Sequence, residues 1–253
     1  MTVTLQDAIS FGDLSFVKDD FDQIKKVCPN LMGSVVNRSN LPGRTQLEKM
    51  HHLIMGELSE LATIKYLRSN GRFAESAVDK MSGRPDLGHD VRFKNESGKD
   101  LLCSVKSSNS HSYGWPNIID RMHFPFTKDE VKDINVRAYY RLPSTRETLS
   151  DSEKASREDA AENGSIFVEI KNTRRGDTAE FAVVEAITLH NMERLYSYGK
   201  LLAIASRRML NEAGFRRSFD EYLGIEREMS VLKIKDGRTM RELLDVCQRV
   251  EPT

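Results

Sequence analysis

Asp90-Val91-Arg92-Phe93, then, past Lys94, Asn95-Glu96-Ser97-Gly98-Lys99-Asp100, then Leu101-Leu102-Cys103-Ser104-Val105-Lys106: this stretch decides the fold. The first piece alternates apolar and polar residues, as a half-buried strand does. The middle piece is turn chemistry, with Asn, Ser, Gly and Asp supplying turn and left-handed conformations. The third piece is more apolar and reads as a more buried strand. A β-hairpin over residues 90–106 is the expectation. In a hairpin the start of one strand lies beside the end of the next, so Asp90 and residues 104–106 should meet. Strand alternation puts Ser104 and Lys106 on one face and turns Val105 into the core.

Upstream, Leu47, Met50, Leu53, Ile54, Leu58, Leu61, Ile64 and Leu67 recur at helical spacing. They predict a long helix from Thr45 to about Ser69, stopped by Asn70-Gly71. Residues 5–28 read as two short helices broken at Gly12-Asp13 and closed by Pro29. Residues 33–44 read as a loop, and Ser82-Gly83-Arg84-Pro85 as a turn. Downstream, a polar loop is expected from Ser107 to Gly114. A helix opened by Trp115-Pro116-Asn117 follows, then strands at 136–142 and 166–171. The Ser-, Glu- and Asp-rich residues 144–164 between them read as an exposed insertion. Residues 181–209 should hold a helix from about Leu189. The tail suggests a strand near 231–234, a turn at Asp236-Gly237 and a helix from Thr239.

Lys plus Arg and Asp plus Glu number 38 each, so no basic excess marks a nonspecific polyanion binder. A balanced chain still accommodates DNA binding if its basic residues gather on one face. Three cysteines, Cys28, Cys103 and Cys247, lie far apart and form no CxxC pair, which argues against a zinc or disulfide framework. No run approaches the ~20 apolar residues of a membrane span. A soluble protein of a reducing cytoplasm, bacterial or archaeal, is expected, with no membrane partner.

The order of chemical groups is a helix carrying Gly56-Glu57, a strand opening with Gly88-His89-Asp90-Val91, and a strand closing with Cys103-Ser104-Val105-Lys106. This resembles the PD-(D/E)xK nucleases, and among them the Type II restriction endonucleases. The resemblance covers roughly residues 45–125. It implies an α/β fold with a restriction-endonuclease-like core: a central mixed sheet of about five strands flanked by helices, with additional helices at both ends. It implies one endonuclease domain over 1–253, comprising an N-terminal helical and loop region (1–44), a catalytic core (45–205) and a C-terminal extension (206–253). The implied activity is Mg²⁺-dependent hydrolysis of double-stranded DNA at a specific site, by a homodimer.

Under that resemblance Asp90 holds Mg²⁺, the Val105 carbonyl adds a ligand, and Glu57 binds through water or a second ion. Lys106 polarises the attacking water or stabilises charge on the phosphate. Ser104 departs from the pattern, because it stands where the family usually has Glu or Asp. A subset of restriction enzymes shares this Ser-x-Lys form and takes the acid from a following helix, and Asp120 is the candidate here. Asp86, after Pro85, ranks behind Asp90 because Leu87-Gly88-His89 does not read as a strand. A rival acid-x-Lys, Glu169-Ile170-Lys171, ends the strand from Ile166. His51 and His52 are adjacent, so they point to different sides of a helix and make a poor metal pair.

Candidate DNA contacts are Ser107, Ser108, Asn109, His111 and Tyr113 after the catalytic strand, and Asn172, Arg174 and Arg175 after the later one. Arg207, Arg208, Arg216 and Arg217 form a further basic cluster. Two other readings stand beside restriction. One is a repair, resolvase or modification-dependent nuclease of the same fold. The other is a non-catalytic DNA-binding protein that keeps the fold.

Overall fold

The computed structural model describes residues 2–37, 46–77, 90–110, 113–142, 168–171, 181–184, 195–220 and 225–249. Its helices are α1 (Lys18–Asn37), α2 (Gln46–Ser69), α3 (Trp115–Arg121), α4 (Arg207–Ala213) and α5 (Met240–Leu244). The strands up to the crossover are β1 (Ile9–Ser10), β2 (Ala74–Ser76), β3 (Val91–Lys94), β4 (Asp100–Ser110) and β5 (Ile134–Arg141). Those after it are β6 (Val168–Lys171), β7 (Phe181–Val184), β8 (Gly199–Ser206), β9 (Phe215–Asp220) and β10 (Ile225–Ser230).

The expected hairpin is β3–β4, antiparallel, with Val91 opposite Cys103 and Lys94 opposite Asp100. Its turn is held by the Asn95 side chain, which accepts the Lys99 N–H at 2.9 Å, and by Gly98 at φ 78°. β2 adds to the far edge of β3, also antiparallel. After β4 the chain crosses over through α3 and returns as β5, parallel to β4. β8 and β1 then follow antiparallel, giving a mixed six-stranded sheet in the order β1-β8-β5-β4-β3-β2. The fold is α/β, a mixed sheet flanked by helices. β9–β10 and β6–β7 are separate two-stranded ladders.

Alternation along the central strands divides the core in two. Cys103, Val105, Val136, Ala138 and Tyr140 face α2, where they bury Ile54, Met55 and Leu58. The Tyr140 hydroxyl donates to the Met55 carbonyl at 2.9 Å and lies 3.1 Å from the Ser59 hydroxyl, so it has partners inside the core. Tyr139 faces the other side, with Ile118 and Ile119 of α3 and Phe124 and Phe126 after it. Among the described residues no helix is long and apolar enough to cross a membrane.

Several expectations need correction. α1 is one helix carried through Pro29 to Asn37, so Pro29 does not close it and Gly33 is not in a loop. The segment expected to loop from Ser107 stays in β4 to Ser110, because β5 pairs with it along that whole length. Residues 199–206 are strand, and the helix that follows starts only at Arg207. The tail strand is 225–230, ahead of the expected position, while α5 begins as expected with Thr239 as its cap. The insertion 144–164 and the segment 185–194 lie outside the described residues.

Gly199 sits opposite Tyr140, and a Cβ there would lie 2.5 Å from Phe11 Cδ2 and 2.9 Å from Tyr140 Cε1. Overpacking of this kind costs about 1–3 kcal/mol. Gly199→Ala is therefore expected to lower the urea midpoint by an amount in that range, with an unchanged m-value. An unmoved midpoint would mean that β8 shifts to make room.

Candidate active site

Asp90 lies directly before β3, and its N–H donates to the Cys103 carbonyl at 2.9 Å. There the β3 ladder stops, and the side chain takes over. Asp90 Oδ2 accepts the Val105 N–H at 2.6 Å and the Ser104 hydroxyl at 3.2 Å. Ser104 is 4% exposed, so its hydroxyl needs a partner and finds one in this carboxylate. Ser104 and Lys106 alternate onto one face of β4, away from α2. Asp90 and Lys106 thus project on the same side of the sheet.

Lys106 Nζ donates to Glu130 Oε1 at 2.8 Å. Glu130 closes a one-turn 3₁₀ helix (Lys128–Glu130), and its other oxygen accepts the Thr127 N–H at 3.0 Å. Burial alone would raise the Glu130 carboxyl. The charge and hydrogen bond of Lys106, with the Thr127 bonds, outweigh that and hold it below the ordinary carboxylate value.

Arg137 is directly across the parallel ladder from Lys106. It is 3% exposed, donates from Nη1 to the Lys106 carbonyl at 3.2 Å, and lies 4.9 Å from the Tyr139 ring centroid. Burial pulls its guanidinium down to about 10. Its Nε has no hydrogen-bond partner among the described residues.

The remaining candidates are dispersed. Glu57 is half-buried on α2, on the opposite side of the sheet from Lys106. It lines a cavity with Asp20, Glu60, Arg68 and Ser76. Asp120 is exposed on α3, and its carboxylate is taken by Lys235 Nζ at 2.5 Å, which lowers it from the ordinary range. The structure therefore pairs Asp120 with Lys235, and pairs Lys106 with Glu130. Ser107 and Asn109 turn towards α2, with Asn109 Nδ2 3.5 Å from His51 Nε2 and 3.8 Å from Met55 Sδ. Ser108 is on the Lys106 face. The Tyr113 N–H donates to the Ser110 hydroxyl at 3.1 Å. His111, Asn172, Arg174, Arg175 and Asp86 lie outside the described residues. Glu169 and Lys171 belong to β6, whose ladder with β7 is apart from the six-stranded sheet.

Glu130 and Arg137 are the residues that sequence reasoning missed. Thr127-Lys128-Asp129-Glu130 has the spacing of a capping box, a signal present in the sequence. Nothing local ties that box to Lys106. Compared with family models, curated proteins and solved structures, the chain matches none.

The Glu130 carboxyl sits below its ordinary 4.5, so the stability it contributes is complete above that pH and is lost as pH falls through the lower, folded value. Glu130→Gln should unfold in less urea than wild type at neutral pH, by about 1 kcal/mol or less for a half-exposed pair. The two proteins should converge once the pH has fallen below that folded value. A gap that persists in acid would assign the loss to packing.

Proposed function

We propose that this protein is a Mg²⁺-dependent endonuclease that hydrolyses phosphodiester bonds of double-stranded DNA at a specific site, in the manner of a Type II restriction enzyme. The observation that carries this reading is the bonding of Asp90 to the Ser104 hydroxyl and the Val105 N–H, with Lys106 alternating onto the same face of β4 as Ser104. The order of helix, Asp-bearing strand and adjoining x-Lys strand also agrees with the family that the sequence resembles.

The donor chemistry suits a hard cation. Asp90 offers carboxylate oxygen. The Val105 carbonyl leaves its strand on the same side as the Val105 N–H, the side of Asp90. Among the described residues no group of three or more His, Cys, Asp or Glu side chains is gathered. Mg²⁺ commonly needs only one or two protein carboxylates, since it keeps several waters. When bound, it supplies charge neutralisation at the phosphate and acidification of the attacking water. Asp90 and Val105 would hold it. Lys106 would orient the water or stabilise charge on the phosphorus oxygens. Glu130 positions Lys106 through its second, backbone-anchored oxygen. Glu57, behind the sheet, has no part in this arrangement.

A specific observation favours a second reading, a non-catalytic DNA-binding protein. Ser104 stands in for the usual acid, and Lys106 is already neutralised by Glu130.

Digestion of a plasmid of known sequence with Mg²⁺, followed by sequencing of the ends, tests the proposal. Discrete fragments with fixed termini are expected. Asp90→Asn and Lys106→Ala should each cut at least about 100-fold more slowly. Glu130→Gln should slow cleavage more than Asp120→Asn, which touches only the Lys235 pair. Equal, negligible cutting by wild type and the Asp90 and Lys106 variants would leave the non-catalytic reading.

A further inference from the structure

Residues 122–127 run antiparallel to 229–234, extending the β9–β10 ribbon into a patch outside the main sheet. Thr127 is opposite Met229 and His123 opposite Lys233. Phe124 donates to the Leu232 carbonyl, Ser230 to Phe126 and Ile234 to Met122, each at 2.9 Å. In the ribbon itself Arg216 is opposite Met229 and Arg217 opposite Glu228.

Directly opposed residues share a face, and alternate residues along a strand do too. Arg216, Arg227, Lys233 and His123 therefore fall on one side of the patch. The reverse side is occupied differently. Arg217 lies 3.6 Å from Glu228, Ser230 is buried, and Phe215 packs on the core beside α3. Two more arginines of the basic cluster are engaged elsewhere, Arg207 by Asp133 at 3.1 Å and Arg208 by Glu212 at 2.7 Å.

Among the described residues Arg216, Arg227 and Lys233 make no ion pair. Arg216 is exposed, and Arg227 and Lys233 are half-exposed. Two of these charges, Lys233 and Arg216, act on His123, whose imidazole is held below its ordinary value by burial first and then by them, with Asp236 acting against them. In a chain whose charges balance overall, this is a local concentration of cations that form no ion pair among the described residues.

The stripe adjoins the candidate active site. Thr127, bridged to Met229, bonds the Glu130 carboxylate that grips Lys106. A two-stranded ribbon on its own is marginally stable in water, and it is also an element that the ~12 Å major groove of DNA admits.

We propose that the stripe of Arg216, Arg227, Lys233 and His123 binds the sugar–phosphate backbone of duplex DNA and leads it to Lys106. The choice of DNA as partner rests on the nuclease reading above. The stripe supplies affinity and register, and base reading lies elsewhere.

The test is binding of the full-length protein to a duplex fragment in Ca²⁺, read by fluorescence anisotropy across a salt series. Removing one cation that neutralises a phosphate should flatten the log Kd against log salt slope by about 0.9. The triple variant Arg216→Gln, Arg227→Gln, Lys233→Gln is expected to flatten it by two to three such steps (about 1.8–2.7). It should also bind at least 10-fold more weakly at fixed salt. Arg208→Gln, which removes an exposed but paired arginine, should bind as wild type. The single variants Arg216→Gln and Arg227→Gln, checked by thermal unfolding, should each give part of the effect without loss of fold. A triple variant with wild-type slope and affinity overturns the stripe and leaves the nuclease reading standing. Tight binding by Asp90→Asn without cleavage isolates the active site from the binding surface. A wild type with no salt-dependent affinity for duplex overturns the stripe and the nuclease reading together.

Discussion

The fold hangs on β4, a strand enclosed between an antiparallel neighbour on one edge and a parallel neighbour on the other. The buried N–H groups of such a strand must find acceptors, Val105 (8% exposed) among them, because an unmet buried donor costs about 1–3 kcal/mol. β3 is shorter than β4 and runs out at the level of Val105. The Asp90 carboxylate accepts the Val105 N–H that the ladder leaves over. Asp90 is thus fixed by backbone satisfaction, and the same oxygen takes the hydroxyl of buried Ser104.

Alternation along β4 does the rest of the sorting. Cys103 and Val105 turn into the core beneath α2, and Ser104 and Lys106 turn to the other side. Burial, with the Asp90 carboxylate and Cys247 close by, pushes the Cys103 thiol well up, so it is a packing residue and not a nucleophile. On the outer side the cations are treated unequally. Lys106 meets Glu130, whose geometry is set by its own turn. Arg137 is buried over an aromatic ring and a carbonyl, with no carboxylate among its described contacts. One face of a few residues therefore carries a rigid acid, a paired lysine and a buried arginine.

The crossover from β4 to β5 ties these groups to the rest of the chain. It delivers α3, then residues 122–127, which pair with the segment leading out of β10, then the turn bearing Glu130. The same stretch thus supports the lysine from one end and the outlying ribbon from the other. α2 plays no such role, because it covers the opposite side of the sheet and turns Glu57 towards α1.

The amino-acid order by itself determined the hairpin over 90–106, the long helix ending at Asn70-Gly71, the α/β class and the adjacency of Asp90 to Ser104. All of these follow from short-range alternation, helical spacing and turn chemistry, which act within about two dozen residues. Tertiary structure alone decided the extent of β4, since Ser107 to Ser110 look like loop until β5 pairs with them. It also decided that Pro29 stays within α1, that residues 199–206 form a strand, and that Glu57 and Lys106 face apart. The partner of Lys106 was hidden for the same reason. Asp120 and Glu130 both follow β4 at plausible distances along the chain. The choice between them depends on the register of a parallel crossover and on which face a short helix presents, and no local pattern records either.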